Sequence, residues 1–425
     1  MRVLIVNTSE RTGGAAVAAN RLMKALNNHG VKAKMLVRDK ETDTLTVTAL
    51  PRSPWLRWNF LWERLVIFIR CRFSRKHLFE IDLANTGTDI TRLREFQEAD
   101  IIHLHWINQG MLSLSVIRKI LRSGKPVVWT MHDIWPATAI CHVTLGCRRF
   151  TTRCRGCRLL GKGDGDDLST TIWQRKLRML EDENIYFVAC SRWLESEAKA
   201  SALLKGHKIT SIPNPIDTHI YKRYNKKEAR ERLGLPQDRR IILFASQRVT
   251  MPLKGMDYLI DACRQLAEGK SQESGAPSPC IVILGGHAEE ITGQLPLDTF
   301  PLGYINDEQR IVDVYNAADV FVLPSLSENL PNTIMEAMAC GLPCVGFKVG
   351  GIPEEIDHKR NGYVAESRSA EDLARGIQWI LNEADYESLS RNAIQKVAHN
   401  YSQQSVALRY AEVYQQAMAF KHYKL

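Results

Sequence analysis

Short runs of mostly apolar residues alternate with helix-like segments through the first half of the chain, and the first of them, 3–6, is continuous. Continuous apolar runs of four or five residues are typical of parallel strands that are covered on both faces. A helical pattern opens after Gly13-Gly14 and is closed by Gly30, and a second helix precedes the fourth run. The predicted strands lie at 3–6, 33–37, 101–105, 127–130 and 187–190.

The same rhythm starts again after an interruption at 212–217. This segment reads Ile-Pro-Asn-Pro-Ile-Asp, and its two prolines break any regular element there. A charged stretch follows, and then four further apolar runs predict strands at 241–244, 281–284, 320–323 and 344–347. Repeated alternation of strands and helices predicts a parallel, doubly wound sheet in each half.

We therefore predict an α/β protein made of two Rossmann-like, doubly wound domains. The boundary is placed at the proline-containing turn, and the end of the chain is predicted to form a helix that packs back on the first domain. The predicted divisions are 1–212 for the first domain, 213–400 for the second and 401–425 for the final helix.

Size and charge fit this organisation. A chain of 425 residues is too long for one ordinary core and suits two domains of about 200 residues each. The formal net charge of +10 favours anionic partners, such as a nucleotide diphosphate, a phospholipid surface or a nucleic acid. No apolar run approaches the roughly 20 residues of a membrane span. The first run is also shorter than the apolar region of a signal peptide, about 7–15 residues, so we expect a cytoplasmic protein.

The strongest chemical signal follows the predicted strand at 320–323. There the chain reads L-P-S-L-S-E-N-L-P-N-T-I-M-E-A-M-A-C-G, with Glu328 on a loop and Glu336 eight positions later in a short helix. Asn332 is predicted to cap that helix. The backbone N–H groups of a helix N-terminus favour a phosphate, and ligands of open α/β sheets bind at the carboxyl ends of the strands. Both glutamates are therefore expected to face a ligand.

This segment resembles the E-x7-E signature of the retaining family 4 glycosyltransferases of the GT-B fold. Weaker similarities extend over nearly the whole chain. Gly13-Gly14 resembles the glycine-rich turn near the N-terminus of that family, and the segment 212–217 resembles its interdomain turn. Arg248 with Lys254-Gly255 resembles its phosphate-binding pair. The segment 129–135, together with four nearby cysteines, resembles the colanic-acid-type subgroup, which builds surface polysaccharides.

The resemblance implies two domains that face each other across a cleft, with a nucleotide-sugar donor in the second domain and an acceptor in the first. It assigns Glu336 to the ribose hydroxyls and Glu328 to the transferred sugar. The signature loop between them is expected to hold the sugar and the phosphate through Asn329, Leu330, Pro331, Asn332 and Thr333. Pro215, Pro331 and Asn332 depart from residues common in the family, so the sugar contacts are expected to differ in detail.

Catalytic roles are implied for three further residues. Arg248 and Lys254 follow the strand at 241–244, and together they would neutralise the departing diphosphate without any cofactor. His132 follows the strand at 127–130 and would contact the donor sugar, with Asp133 as a further candidate. Gly13 and Gly14 would bring backbone N–H groups close to the donor phosphate or to the acceptor.

His103 and His105 alternate along one strand, so they share one face of it. We interpret them as polar residues that are satisfied within the end of the sheet.

Four of the ten cysteines are clustered, with the spacing C-x5-C-x6-C-x2-C. Four thiolates suffice for a tetrahedral structural zinc site, and His142 could replace one of them. Free thiols and disulfides are the open alternatives. A zinc ion here would hold a loop beside the cleft and take no part in the chemistry. The predicted ligands are Cys141, Cys147, Cys154 and Cys157.

The segment 54–79 combines seven aromatic residues with six basic ones. Aromatic and basic residues in one helical stretch are typical of peripheral contact with an anionic membrane. The alternative is a helix that packs in the core with solvated cations. A polyprenyl-diphosphate-linked acceptor would give membrane contact a purpose, at the inner face of the plasma membrane.

The predicted activity is transfer of a hexose, with retention, from a nucleotide-diphosphate sugar to a glycan or lipid-linked glycan acceptor in surface polysaccharide biosynthesis. A nucleotide-sugar epimerase or a phosphorylase of the same architecture is the alternative enzyme. A zinc-containing nucleic-acid-binding protein would agree with the charge and the cysteines, but no recognition motif for nucleic acid is present, so we predict no nucleic-acid partner.

Overall fold

The computed structural model describes residues 1–161, 163, 165–181, 185–268 and 277–422, in two compact units. The first unit contains Met1–Pro215 and Val406–Leu425, and the second contains Ile216–Ser405. The division therefore falls within the proline-containing turn, three residues after the predicted boundary. Among the described residues, no helix combines the length and the apolar character that a membrane span requires.

The first unit is built on a seven-stranded parallel sheet in the order β3-β2-β1-β4-β5-β6-β7. Its strands are β1 Arg2–Ser9, β2 Lys32–Asp39, β3 Val47–Ala49, β4 Ile101–Leu104, β5 Val127–Met131, β6 Ile185–Ala189 and β7 Lys208–Ser211. Its helices are α1 Gly14–Asn28, α2 Pro54–Arg70, α3 Arg94–Glu98, α4 Leu114–Leu121, α5 Leu168–Leu180 and α6 Arg192–Lys199.

Strand β1 shows why its sequence is apolar throughout. Val3 and Ile5 belong to one hydrophobic cluster, whereas Leu4 and Val6 belong to another. Successive side chains of a strand point to opposite faces, so both faces of this sheet are covered. The strands at the centre of a doubly wound sheet are therefore buried on both sides, as the continuous apolar runs predicted.

The second unit has a six-stranded parallel sheet in the order β10-β9-β8-β11-β12-β13. Its strands are β8 Ile241–Arg248, β9 Cys280–Gly286, β10 Thr299–Gly303, β11 Val320–Leu323, β12 Cys344–Phe347 and β13 Gly362–Ala365. The helices are α7 Lys226–Leu233, α8 Met256–Glu268, α9 Glu308–Ala317, α10 Asn332–Ala339, α11 Ile352–Glu355, α12 Ala370–Gln378 and α13 Tyr386–Asn400. The prediction of two Rossmann-like α/β domains is confirmed.

The last helix, α14, spans Gln403–His422, and most of it belongs to the first unit. Val406, Tyr410 and Tyr414 are buried there in the same cluster as Val3 and Ile5 of β1. The helix thus closes one face of the first sheet, and its tyrosines reach polar side chains of that sheet, as described below.

Candidate functional site

Two oppositely charged residues meet at the carboxyl edge of the second sheet. Lys254 follows β8, Glu328 follows β11, and these two strands are neighbours in the sheet. The Lys254 Nζ forms a salt bridge with the Glu328 Oε1, and the Ser325 hydroxyl donates to the same oxygen at 3.0 Å. Both charged side chains keep some exposure, 25% and 13%. Strand order reverses between β8 and β11, and ligands of open α/β sheets bind at such a point.

Two glycines allow the loops of this edge to approach so closely. A Cβ at Gly255 would lie 1.9 Å from the carbonyl oxygen of Pro324, and one at Gly350 would lie 1.7 Å from that of Glu328. Both glycines also have a positive φ, +71° and +56°. A side chain at either position would push the loop that carries Glu328 away from its present position.

Arg248 is the last residue of β8 and its side chain is exposed. The Arg248 Nε donates to the Thr250 hydroxyl at 3.2 Å. Arg248 and Lys254 therefore both leave the carboxyl end of one strand, six positions apart. This places two cations on the same side of the sheet as Glu328.

Helix α10 begins at Asn332, and Pro331 is its N-cap. The prediction that Asn332 caps the helix is therefore wrong, because Asn332 is already the first helical residue. No side chain caps this end of the helix. Within the signature loop, Leu330 and Pro331 are buried, whereas Asn329, Asn332 and Thr333 are half-buried.

Glu336 lies one turn inside α10 and is buried. Its Oε2 accepts a hydrogen bond of 2.7 Å from the hydroxyl of Tyr315, which is on α9. The structure thus places the two predicted glutamates differently: Glu328 on a loop in contact with Lys254, and Glu336 on a helix, oriented by a tyrosine.

At the carboxyl edge of the first sheet, Gly13 and Gly14 form the start of α1. Gly13 is the N-cap, with a φ of +95°, and Gly14 is the first helical residue. A Cβ at Gly13 would meet nothing within 4 Å. The glycine at this position therefore serves the backbone conformation and does not accommodate a protein neighbour.

His132 follows β5, and its two ring nitrogens contact other side chains. Its Nε2 is 2.9 Å from the Nδ1 of His105, and its Nδ1 is 3.5 Å from the Sγ of Cys190. Burial lowers the pKa of His132 to about 4, so the ring is neutral at pH 7. His132, which was predicted to contact the donor sugar, is therefore in contact with another histidine in this structure.

His103 links the last helix to the first sheet. Its Nδ1 is 2.7 Å from the hydroxyl of Tyr414, and its Nε2 is 2.7 Å from that of Thr130, which in turn lies 2.9 Å from the hydroxyl of Tyr410. Burial lowers the pKa of His103 to about 3. His103 is thus satisfied within the sheet end, while the buried Nε2 of His105 has no hydrogen-bond partner among the described residues.

An ionic network beside His132 escaped the sequence analysis. His142, considered above as a metal ligand, instead lies between two carboxylates, with its Nε2 2.6 Å from Asp82 and its Nδ1 2.7 Å from Asp133. Asp133 also accepts from the indole of Trp106 at 3.0 Å and from the backbone N–H of Trp135 at 2.8 Å. Burial opposes a charged ring, but the two carboxylates outweigh it and raise the pKa of His142 to about 10. Asp82 lies 60 positions from His142 in the chain, so the sequence spacing does not indicate that these two residues pair.

The four clustered cysteines are free and half-buried. Among the residues that the structure describes, no group of three or more His, Cys, Asp or Glu side chains is arranged to hold a metal ion. Burial, with smaller contributions from the other cysteines of the cluster, raises the pKa of Cys141 to about 11 and that of Cys154 to about 12. The zinc site at Cys141, Cys147, Cys154 and Cys157 stays a prediction.

Comparison with known families agrees with the two-unit organisation. The model of Glycosyltransferase Family 4 matches residues 12–220, and that of Glycosyl transferases group 1 matches residues 225–396. The D-inositol 3-phosphate glycosyltransferase of Thermobispora bispora is 25% identical over 338 residues, which cover 76% of this chain and 72% of that protein. The enzyme of the same name from Streptosporangium roseum is 27% identical over 340 residues, or 76% and 71% of the two chains.

Solved structures share the fold over almost the full length. Sucrose-phosphate synthase from Thermosynechococcus elongatus superposes with a TM-score of 0.68 at 19% identity, covering 98% of this chain and 99% of that one. HepE from Anabaena, solved in complex with UDP-glucose, superposes with a TM-score of 0.64 at 18% identity, covering 98% and 100%.

Proposed function

The chain belongs to the GT-B glycosyltransferases of the group 1 and family 4 type, and we propose that it transfers a hexose with retention of anomeric configuration. The donor is a nucleotide-diphosphate sugar. The acceptor is a glycan or a lipid-linked glycan of surface polysaccharide biosynthesis. The observation that carries the proposal is the contact between Lys254 and Glu328 at the point where strand order reverses in the second sheet.

The donor diphosphate is proposed to bind between the end of β8 and the start of α10. Arg248 offers a planar fork for two phosphate oxygens, and Lys254 offers a point charge. The N-terminus of α10 adds a partial positive charge, because it points its backbone N–H groups toward the same edge. These groups neutralise the charge that develops on the leaving diphosphate, so the proposed reaction needs no cofactor.

The sugar and the ribose are assigned to the two glutamates. Glu328 is held by Lys254 and Ser325, and we assign its carboxylate to the hexose. The hydrogen bond from Tyr315 orients the carboxylate of Glu336, which we assign to the ribose hydroxyls. Asn329, Asn332 and Thr333, all half-buried, complete the proposed donor contacts. HepE, whose fold this chain shares, was solved with UDP-glucose, which supports a UDP-sugar as the first donor to test.

On the side of the first unit, we assign His132 to the donor sugar and Gly13-Gly14 to the donor phosphate or the acceptor. His132 must exchange its contact with His105 for a sugar hydroxyl if it is to act in this way. Its low pKa means that it would act as a neutral hydrogen-bonding group. Attack is proposed on the face from which the diphosphate leaves, and we assign no protein nucleophile.

The donor site can be tested by thermal unfolding in the presence of UDP, GDP, ADP and their common sugar conjugates. A ligand at about 100 times its Kd adds about 2.7 kcal/mol to the stability of the protein that binds it. We expect one nucleotide to stabilise the native chain, and Arg248→Ala and Glu336→Gln to lose the effect. Arg264→Ala is the matched control, because Arg264 is an exposed arginine of α8 that pairs with Asp261 in its own helix.

Stabilisation by nucleic acid in place of every nucleotide would overturn the proposal. Retention is tested separately, by recording the anomeric proton coupling of the first product formed from an α-linked donor. An inverted product would contradict the retaining mechanism while leaving glycosyl transfer intact.

A further inference from the structure

Helix α2 buries mainly polar residues and exposes a largely apolar side. Asn59, Glu63 and Arg64 are buried on its inner side, together with Ile67. The opposite side is exposed, and 67% of Trp55 and 52% of Trp58 are accessible to solvent. Surface helices of globular proteins have the reverse arrangement, with the apolar stripe toward the core. The helix packs on the core through Ile67, but its tryptophans lie outside that core, so the core-packing alternative accounts only for the inner side of α2.

The inner polar residues fix the rotation of the helix. The Glu63 Oε1 accepts the backbone N–H groups of Leu83 at 2.9 Å and Ala84 at 2.7 Å. The Asn59 Oδ1 accepts the hydroxyl of Thr86 at 2.5 Å, and Arg64 forms a salt bridge with the buried Asp82. Buried polar groups with this many partners are costly to displace. The helix is thus held with its apolar side toward solvent.

The exposed apolar residues of the molecule are concentrated on this side. Among the described residues, sixteen large hydrophobic side chains are exposed, and half of them lie between positions 55 and 79. Steps of three or four residues place most of them along one stripe of the helix. Contiguous apolar patches of this kind mark an interaction surface. We call the set the outer face of α2: Trp55, Trp58, Leu61, Trp62, Leu65 and Ile69, extended by Phe73 and Phe79.

The charges around the outer face are almost all positive. The acidic residues of the segment 52–80 are Glu63, which is buried, and Glu80, which lies 2.7 Å from the ring of His77. The surrounding basic residues are exposed, and they are Arg52, Arg57, Arg70, Arg72, Arg75 and Lys76. Such a border favours a partner whose surface is negatively charged throughout.

We propose that the outer face of α2 docks on an anionic phospholipid bilayer, with the helix lying in the plane of the headgroups. Tryptophan rings have their preferred depth at this interface, and arginines reach the lipid phosphates from the same level. A helix of 17 residues is about 25 Å long and presents its whole stripe at that depth.

Docking would bring the enzyme to a lipid-linked acceptor, and only this purpose rests on the proposed function. Docking itself requires no catalysis, so a binding experiment separates the two.

The test is sedimentation of the full chain with sucrose-loaded vesicles of phosphatidylcholine, prepared with and without 30% phosphatidylglycerol. Vesicles that are about one third anionic represent a charged membrane leaflet. We expect binding only to the vesicles that contain phosphatidylglycerol. Trp55→Ala/Trp58→Ala/Trp62→Ala should reduce the partition coefficient at least tenfold. The matched control is Leu45→Ala/Leu177→Ala/Leu408→Ala, which removes three exposed apolar residues elsewhere and should leave binding unchanged.

The charge requirement has its own variant. Arg57→Gln/Arg70→Gln/Arg75→Gln should weaken binding by roughly fivefold for each arginine removed. Lys24→Gln/Arg178→Gln/Lys205→Gln removes three exposed cations elsewhere in the same unit and should have little effect.

Binding that survives the tryptophan variant would overturn the proposal. So would the absence of binding to phosphatidylglycerol vesicles, and equally a concentration-dependent dimer that the tryptophan variant dissociates. A tryptophan variant that loses vesicle binding but is still stabilised by nucleotide would support the docking surface. Failure of the proposed function would instead remove nucleotide stabilisation and leave vesicle binding in place.

Discussion

The carboxyl edges of the two parallel sheets use their polar residues in different ways. At the edge of the second sheet, Arg248 is exposed, and Lys254 and Glu328 keep part of their surface in solvent. At the edge of the first sheet, His103 and His105 are buried, and both are hydrogen-bonded to other side chains of the same unit. The edge of the second sheet therefore offers charges that can change partners, whereas the edge of the first sheet holds its polar groups in place. We call them the open edge and the enclosed edge.

The two edges are therefore suited to different functions, one to binding an anion and the other to orienting a neutral hydrogen-bonding group. An incoming anion can replace a partner that keeps some contact with solvent, and Lys254 and Glu328 keep 25% and 13% of their side chains exposed. Orientation of a neutral hydrogen-bonding group requires fixed neighbours, and His132 has them in His105 and Cys190. We therefore expect substitutions in the first sheet's edge to act mainly on stability, and those in the second on binding and turnover.

The largest expected effect is that of His142→Asn at the enclosed edge. The substitution removes the cation that links Asp82 and Asp133. Asp82 keeps its salt bridge with Arg64, but Asp133 keeps only its hydrogen bonds from Trp106 and Trp135 among the contacts described above, and breaking such a buried ion pair costs about 3–5 kcal/mol of unfolding free energy. The pKa of His142 is raised to about 10, above its ordinary value of 6.5. Its contribution is therefore complete below pH 6.5 and is lost as pH rises toward 10. Urea unfolding at pH 7 and pH 9.5 should show the difference between variant and native chain shrinking.

The double variant His142→Asn/Asp133→Asn is the control for that effect. It removes one carboxylate together with the cation, so its loss of stability should be smaller than the sum of the two single losses. Additive losses, or a His142→Asn variant as stable as the native chain at pH 7, would show that the network does not hold this edge together.

At the open edge, Lys254→Ala should act on turnover. Removing one charge that stabilises the transition state lowers kcat by about 10²–10³-fold. The protein should stay folded, because Glu328 retains its hydrogen bond from Ser325 and its contact with solvent. The measurement is the rate of donor consumption with the nucleotide sugar that stabilises the chain, beside Arg264→Ala. Equal rates in the two variants would remove Lys254 from the reaction.

A pair of glycines compares the two edges directly. Gly350→Ala and Gly13→Ala both place a side chain at a positive φ, which costs about 1–3 kcal/mol in each unit. Only the first also collides with a neighbour, the carbonyl oxygen of Glu328. We expect Gly350→Ala to lose nucleotide stabilisation and Gly13→Ala to keep it. The reverse result would transfer nucleotide binding to the first unit's glycine turn.

Much of the fold could be predicted because the central strands are buried on both faces. β1, β8 and β11 contain continuous apolar runs, β4 is apolar apart from His103, and each was predicted. The four strands at the ends of the two sheets, β3, β7, β10 and β13, were not predicted. Two of them, β7 with Lys208 and β10 with Pro301, are largely half-exposed. A strand with one solvated side and one neighbour has no apolar run to reveal it.

The candidate site was predicted in part, and the limit is again physical. Residues that follow parallel strands lie at the carboxyl edge of a sheet, which is why Lys254 and Glu328 could both be assigned to the donor site although 74 positions separate them; their salt bridge was not predicted. His142 and Asp82 have no such rule, because both lie on irregular segments outside the sheet. The orientation of α2 could not be predicted either, because its sequence has apolar residues on both sides. The partners of Asn59, Glu63 and Arg64 decide which side is buried.

The smallest expected effect concerns Glu355, a carboxyl group buried beneath the open edge. Both of its oxygens are buried and have no hydrogen-bond partner among the described residues, in contrast to His142 with its two carboxylates. Burial, with a smaller contribution from Glu328, raises the pKa of Glu355 well above 4.5. The folded chain therefore takes up a proton that the unfolded chain releases, and native stability falls by up to about 1.4 kcal/mol for each pH unit above 4.5.

Glu355→Gln removes this dependence and keeps the shape of the side chain. A buried amide without partners loses about 1–3 kcal/mol of its own, so the net gain at pH 7 should be only about 1 kcal/mol. The decisive measurement is therefore the slope of stability against pH between 5 and 7.5 in urea unfolding, with the exposed Glu231→Gln as control. If Glu355→Gln has a flatter slope and Glu231→Gln does not, the carboxyl group of Glu355 is neutral in the folded protein. Identical slopes would mean that Glu355 is ionised and has a partner, and the second unit would then resemble the first in satisfying its buried charges.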